Sequence, residues 1–228
     1  MRAGGPKGLR CSHRFENWAE RQGYRRVAGV DEVGRGALFG PVVAAAVILD
    51  PQRPIPGLND SKQLDAGRRE ELAARIRETA LAVGLGAVDA ARIDRINIYQ
   101  ASRLAMREAV ESLAPAAPDF LLVDAMHIDL PLPQRALIHG DCLSVSIAAA
   151  SIVAKVERDA WMRVWDAVFP CYRLADHKGY ATSAHREALV RYGPSPLHRF
   201  SFAPVAGACR NGLNRRAENL DLFNDQPQ

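Results

Sequence analysis

The chain has 228 residues, 48% hydrophobic and 25% charged, enough apolar material for a substantial core and too much for a disordered segment. Its longest apolar run, around Ala44–Leu49, is too short to span a bilayer, and Met1–Lys7 holds no apolar stretch of a secretory signal. A net charge of +4 suits a polyanionic partner but is weaker than the basic stripe of a dedicated DNA binder. Cys11, Cys142, Cys171 and Cys209 form no CxxC pair, so reduced thiols in the cytoplasm are expected rather than a zinc site or a disulfide framework.

No repeat, low-complexity tract or long linker interrupts the chain. Residues 1–14 read as a flexible start, although a short helix is expected from Phe15 to Gln22. Arg26–Asp31 and Pro41–Leu49 read as strands, the second apolar enough to be buried on both faces. The nine residues between them contain Gly34, Gly36 and Gly40 and cannot hold a helical crossover, so the pair is expected to be a hairpin. A helix follows over 65–82 with Asp65 as its cap, then a strand over Leu81–Val88 and a helix from about Tyr99 to Leu113. Asp119–Ala125 and Arg135–His139 complete five strands, and a long helix is expected from about Val145 to Phe169. Hairpin strands followed by strand–helix alternation predict an α/β domain with a mixed five-stranded sheet flanked by helices, over residues 15–209 with a helical C-terminal part. Residues 210–228 read as a polar, flexible tail.

Four carboxylates stand where burial makes a charge expensive. Asp31 and Glu32 end the first strand, Asp124 ends the fourth, and Asp141 follows the fifth. Hard oxygen donors without a cysteine or histidine cluster favour Mg²⁺ or Mn²⁺ over zinc or copper. Neighbouring residues on a strand point to opposite faces, so Asp31 and Glu32 can share a site only if the strand ends there, as the nearby glycines suggest. GxSxG, a P-loop and GxGxxG are all absent, which argues against serine chemistry and nucleotide cofactors.

These residues sit in segments that resemble ribonuclease HII of bacteria. The resemblance runs through Val30-Asp31-Glu32-Val33-Gly34-Arg35-Gly36, Gly40–Ala45, Leu58-Asn59-Asp60-Ser61-Lys62, Leu122-Val123-Asp124 and Gly140-Asp141. It continues through Ser146–Asp159, His177-Lys178-Gly179-Tyr180 and Gly193–Arg199, so that it covers roughly residues 25–203 in order. It implies an RNase H-like fold and an endonuclease that hydrolyses the RNA strand of RNA/DNA hybrids. The family also nicks 5′ of single ribonucleotides in duplex DNA, leaving 3′-hydroxyl and 5′-phosphate ends.

By the same resemblance Asp31, Glu32, Asp124 and Asp141 are the catalytic carboxylates and hold two divalent ions. Substrate contacts fall to Gly34, Arg35, Gly36, Ser61, Lys62 and Tyr180, with Tyr180 stacking beneath the sugar. Three of the four lysines, Lys62, Lys155 and Lys178, lie in these segments, which suits point charges placed for phosphates. Two positions depart from the family pattern: Ala125 replaces a common glycine after the third carboxylate, and Gln63 replaces a common second lysine. In the tail, Leu220, Leu222 and Phe223 are similar to a bacterial sliding-clamp peptide, with Asn219 in place of its glutamine. Nothing in the sequence demands more than a monomer, and no membrane partner is expected. A non-catalytic duplex binder and a metal-dependent exonuclease or phosphatase are the competing readings. Four carboxylates beside phosphates disfavour the first, and Gly34–Gly36 with Tyr180 disfavour the second.

Overall fold

Val27–Val33 (β1) and Val42–Ile48 (β2) pair antiparallel from Ala28↔Ile48 to Val33↔Val43, the hairpin that the short glycine-bearing connection requires. The structure is a computed structural model that describes residues 11–113 and 116–210. Ala82–Val88 (β3) adds antiparallel to β2, while Phe120–Asp124 (β4) and Gln134–Leu137 (β5) lie parallel to β1 on its other side, giving the order β3-β2-β1-β4-β5. This is the expected mixed five-stranded sheet.

Helices cover both faces. Ile98–Glu111 (α4) packs across β3, β2 and β1, and it comes close because β3 offers Gly84 and Gly86. A methyl group on either glycine would stand 2.1–2.2 Å from the carbonyl oxygens of Ala109 and Ala105. On the opposite face Ala45 and Val47 pack against Leu72, Ala73 and Ile76 of Ala66–Thr79 (α2) and the small residues Ala148–Ala150 of Val145–Val168 (α5). Asp65 caps α2 by accepting from the Arg68 N–H at 2.8 Å, as its position in the sequence suggests. Arg14–Arg21 (α1) covers the β1–β4 end through Ala19, which joins Val27, Phe120, Leu122 and Leu137 in one apolar cluster. From α1, Glu16 reaches the start of α5, where its carboxylate accepts from the Ser144 hydroxyl and, at 3.0 Å, from the Ser146 N–H.

The chain gathers into two compact units. Among the described residues, one takes in those up to Arg35, Val42–Val88 and Ile98–Arg158; the other takes in Gly36–Pro41, Asp89–Asn97 and those from Asp159 to Arg210. The second unit contains the helix Ala90–Ile96 (α3), which the sequence reading passed over, with Leu174–His177 (α6) and Ser183–Tyr192 (α7). Its core gathers Leu38, Phe39, Met162, Tyr172, Leu174 and Leu189. Beside them His185 and His198 are fully buried. The Ser195 N–H donates to His198 Nδ1 at 3.0 Å, so the Nε2–H of His198 donates to His185 Nε2 at 3.1 Å. The Nδ1–H of His185 then donates to the Tyr180 carbonyl at 3.0 Å. Burial pushes the pair down, to about 4 for His185 and about 3 for His198, so both are neutral at physiological pH.

Two boundaries beside the carboxylates differ from expectation, each for a local reason. β1 does not stop at Asp31–Glu32 but continues to Val33, because β2 keeps pairing with it there. β5 ends at Leu137 rather than His139, since His139 is left-handed (φ 58°) and leads into the short 3₁₀ turn Gly140–Cys142. β4 and β5 are parallel without a helix between them. The connection is pinned instead by Gln134, whose side chain accepts from the Ile128 N–H at 2.8 Å and donates to the Ile128 carbonyl at 2.9 Å.

Ala125, directly after β4, has φ 53°, the left-handed conformation that a Cβ disfavours by roughly 1 kcal/mol. Replacing Ala125 with glycine is therefore expected to raise the thermal midpoint by about 2–4 °C. A calorimetric scan checks this; an unchanged or lower midpoint would mean that the strain relieved is no larger than the chain entropy glycine adds to the unfolded state.

Candidate active site

The carboxylate end of the sheet is set by where the ladders stop. β1 pairs with β4 only as far as Val30↔Val123, so beyond that point Asp31 and Glu32 face an open edge beside Asp124, the last residue of β4. Asp31 is on the face that carries Gly29; it is the end of the β1–β4 pairing, not the expected end of β1, that leaves both Asp31 and Glu32 near enough to Asp124 to feel its charge. Gly29 lets α5 settle against β1: a Cβ there would lie 2.0 Å from the Ser146 carbonyl carbon. Asp141 enters from the turn Gly140–Cys142. Asp124 Oδ1 accepts from the Gly140 N–H at 2.7 Å and thereby ties that turn to the end of β4.

All four sequence-derived carboxylates thus belong to the first unit, and they act on one another. Asp31 is 4% exposed. Burial first, then the charges of Glu32, Asp124 and Asp141, push its carboxyl well above the ordinary range. Glu32 rises to about 7, chiefly by burial and with a contribution from Asp124, while Arg35 at 3.5 Å works the other way. Asp124 is also raised, mainly by burial and by Asp141, against the Gly140 N–H and Lys62. Glu32 Oε2 is buried with no hydrogen-bond partner among the described residues. A buried carboxylate oxygen without a donor is costly unless something positive meets it.

Lys62 is the expected cation. Its Nζ lies 3.2 Å from Asp141 Oδ2 and 3.9 Å from Asp60 Oδ1, and most of its side chain is exposed. Desolvation works against the ammonium, but Asp141 and Asp60 outweigh it and hold Lys62 above the usual lysine range. Ser61 is buried, and its hydroxyl is engaged with that of Ser151 on α5 at 2.9 Å. Gln63, at the second departure from the pattern, donates to Asp60 at 3.4 Å and accepts from Asn59 at 3.3 Å. Gly34 has φ 91°, and a Cβ on it would stand 2.2 Å from Nε of the fully buried Arg158. Two of the predicted residues, Gly36 and Tyr180, lie in the second unit, where Tyr180 pairs with Ala37 in an antiparallel bridge.

Sequence reading missed Asp60, Cys142 and Ser151. Asp60 reads as an ordinary turn cap, and it does accept from the Lys62 N–H at 2.9 Å. It is nevertheless 4% exposed and receives the Cys142 thiol at 3.8 Å. Ligand atoms of Asp60, Asp141 and Cys142 lie within 4.8 Å of one another. That trio does not suit a hard cation, because burial and the two carboxylates push the thiol up to about 12 and the Lys62 ammonium already bridges the acids. The Asp31, Glu32, Asp124 and Asp141 set does suit one. It offers only oxygen donors and an orphaned buried oxygen, and Lys62 and Arg35 offset only part of its negative charge.

Residues 28–205 match the family described as Ribonuclease HII. The chain belongs to that family. It is a ribonuclease H, and so a hydrolase. Ribonuclease HII of Solibacter usitatus is 61% identical over 215 residues, covering 94% of this chain and 93% of its own. The ribonuclease HII in a complex with PCNA from Archaeoglobus fulgidus superposes with a TM-score of 0.67 at 28% identity, covering 78% of this chain and 95% of that one. Bst-RNase HIII, solved in complex with Mn²⁺, shares the fold with a TM-score of 0.61 at 22% identity over 81% of this chain and 69% of its own. Among the described residues no helix is long and apolar enough to cross a membrane.

A carboxyl raised by folding costs stability once it ionises. For Glu32 the cost is absent below the ordinary glutamate value near 4.5, grows as pH rises and is complete above about 7. In chelator-treated protein, Glu32→Gln should therefore melt several degrees above the parent at pH 8, with the gap closing by about pH 4.5. Thermal scans across that pH range check the sign, and a variant less stable than the parent at pH 8 would refute it.

Proposed function

We propose that the chain is an endonuclease that hydrolyses the RNA strand of RNA/DNA hybrids and nicks 5′ of single ribonucleotides in duplex DNA. What supports the reading is that among Asp31, Glu32, Asp124 and Asp141, at one end of the sheet, mutual charge helps raise the carboxyls of the first three, with a buried Glu32 oxygen lacking a donor among the described residues. These four would hold two divalent ions, Mg²⁺ or Mn²⁺; the Mn²⁺ complex of the HIII relative supports the choice of metal class. Bound there, such ions supply an activated water and neutralise charge on the leaving 3′ oxygen, giving 3′-hydroxyl and 5′-phosphate ends.

The chain's own groups do the rest. The Gly140 N–H holds Asp124 in place. Lys62 presents an exposed ammonium beside Asp141, suited to a backbone phosphate. Ser61, through Ser151, fixes the turn from which Lys62 projects. Arg35 offers a second cation next to Glu32. Ribose recognition falls to the backbone of Gly34, Arg35 and Gly36, where glycine lets the main chain approach a 2′-hydroxyl, and to Tyr180 beneath the sugar.

The clamp-like residues Leu220, Leu222 and Phe223 lie outside the described residues. We assign them to a sliding-clamp contact, a reading supported by the PCNA complex of the Archaeoglobus relative. Truncation after Arg216 is expected to abolish retention on immobilised clamp while leaving nicking intact. Equal retention would end that assignment.

The main test is a labelled duplex carrying one ribonucleotide, beside an all-DNA control. Nicking 5′ of the ribonucleotide should require Mg²⁺ or Mn²⁺, stop with EDTA and fall by roughly 10³-fold or more in Asp31→Asn. Cutting of the all-DNA control, or tight binding without cleavage in either metal, would overturn the reading.

A further inference from the structure

One cleft of the first unit, away from the carboxylates, is lined by arginine and aromatic side chains alone. Arg14, Phe15, Trp18 and Arg21 of α1 and Arg135 of β5 surround an open volume of about 340 Å³. The Arg135 guanidinium lies 4.9 Å from the Trp18 ring centre and 5.3 Å from that of Phe15, and Arg14 lies 5.8 Å from Phe15. Trp18 in turn meets Phe120 of β4 edge-on at 5.7 Å, so the aromatic floor is anchored to the sheet.

The charge on α1 is separated by face. Glu16 and Glu20 line a different hollow, with Asn17 and Arg25, and no acid borders the arginine cleft. Arg14, Arg21 and Arg135 are exposed and make no ion pair among the described residues. Arg53, Arg107 and Arg173, by contrast, each sit on a carboxylate. Stacking fixes the plane of Arg135 while leaving N–H donors for an anion, the arrangement that favours arginine over lysine at phosphates.

Register places the cleft within reach of a strand lying over the carboxylates. Arg135 pairs with Leu122 and Leu137 with Asp124, so Arg135 stands two residues, about 7 Å, along the strand from the level of Asp124. Leu122, Leu137 and Phe15 belong to one cluster on this face.

We propose that this cleft is a second anchor for the phosphodiester backbone of the substrate duplex, holding phosphates away from the one that is cut. The proposal takes the identity of its ligand from the nuclease reading above. The test separates the two because it measures binding with cleavage switched off.

In an Asp31→Asn background without divalent ions, affinity for a labelled all-DNA duplex of about two helical turns is measured by fluorescence anisotropy from about 0.05 to 0.3 M KCl. Each phosphate contact contributes about 0.9 to the slope of log K against log [KCl]. Arg14→Gln with Arg21→Gln is expected to lower that slope by about 1.8 and to weaken binding roughly thirtyfold near 0.15 M salt. The melting midpoint should hold, since both side chains are exposed, and Arg14→Lys with Arg21→Lys should keep the slope. An unchanged slope in the folded glutamine pair overturns the proposal. A parent enzyme that shows the salt slope but never nicks a ribonucleotide overturns the nuclease reading and leaves this anchor standing.

Discussion

Like charges held together with little exposure to solvent govern this structure. Asp31, Glu32, Asp124 and Asp141 share one end of a sheet, and the nearby protein cations, Lys62 and Arg35, stand largely outside it. Left alone, such a cluster would push apart or take up protons, and the raised carboxyls of Asp31, Glu32 and Asp124 show the second response. The fold prevents the first. Asp31 and Glu32 sit on a strand still clamped by β2, and Asp124 is tied to the Asp141 turn through Gly140. Close packing of α5 at Gly29 leaves little room for retreat. The repulsion is retained as a standing preference for positive charge, which is what a site for divalent ions requires.

Much of this was legible in the sequence because the residues concerned are locally constrained. The apolar runs of β2 and β4 have no reading other than buried strand, and a carboxylate at the end of such a run is conspicuous. The nine residues between the first two expected strands exclude a crossover, so the hairpin follows. Asp65 before a helical pattern is a cap with a mechanism. The resemblance then supplies the grouping of four acids that are far apart in the chain, which no local rule provides.

What was not legible depends on partners distant in sequence. Asp60 looks like a turn residue and is one, but its burial against Cys142 is a contact across 82 positions. Ser151 is one small residue among several on α5 until Ser61 bonds to it. The extension of β1 through Glu32 reflects ladder pairing by β2, not any preference of its own residues. β4 and β5 run parallel with no helix between them because the Gln134 amide closes the connection, and a single glutamine carries no such message in a sequence. The left-handed Ala125 stands where glycine, without a Cβ, would meet the backbone's demand with less strain.

The buried histidine pair of the second unit has a bearing on any pH–rate curve of this enzyme. His185 and His198 pass a hydrogen bond from Ser195 to the Tyr180 carbonyl as neutral rings, and burial moves their titration far into acid. Imidazole is the usual suspect when an activity changes between pH 5 and 8. Here that pair is silent across the window, whereas Glu32 titrates inside it. An inflection near neutrality would therefore have its origin outside this pair, and substitution of either ring should leave its position unmoved.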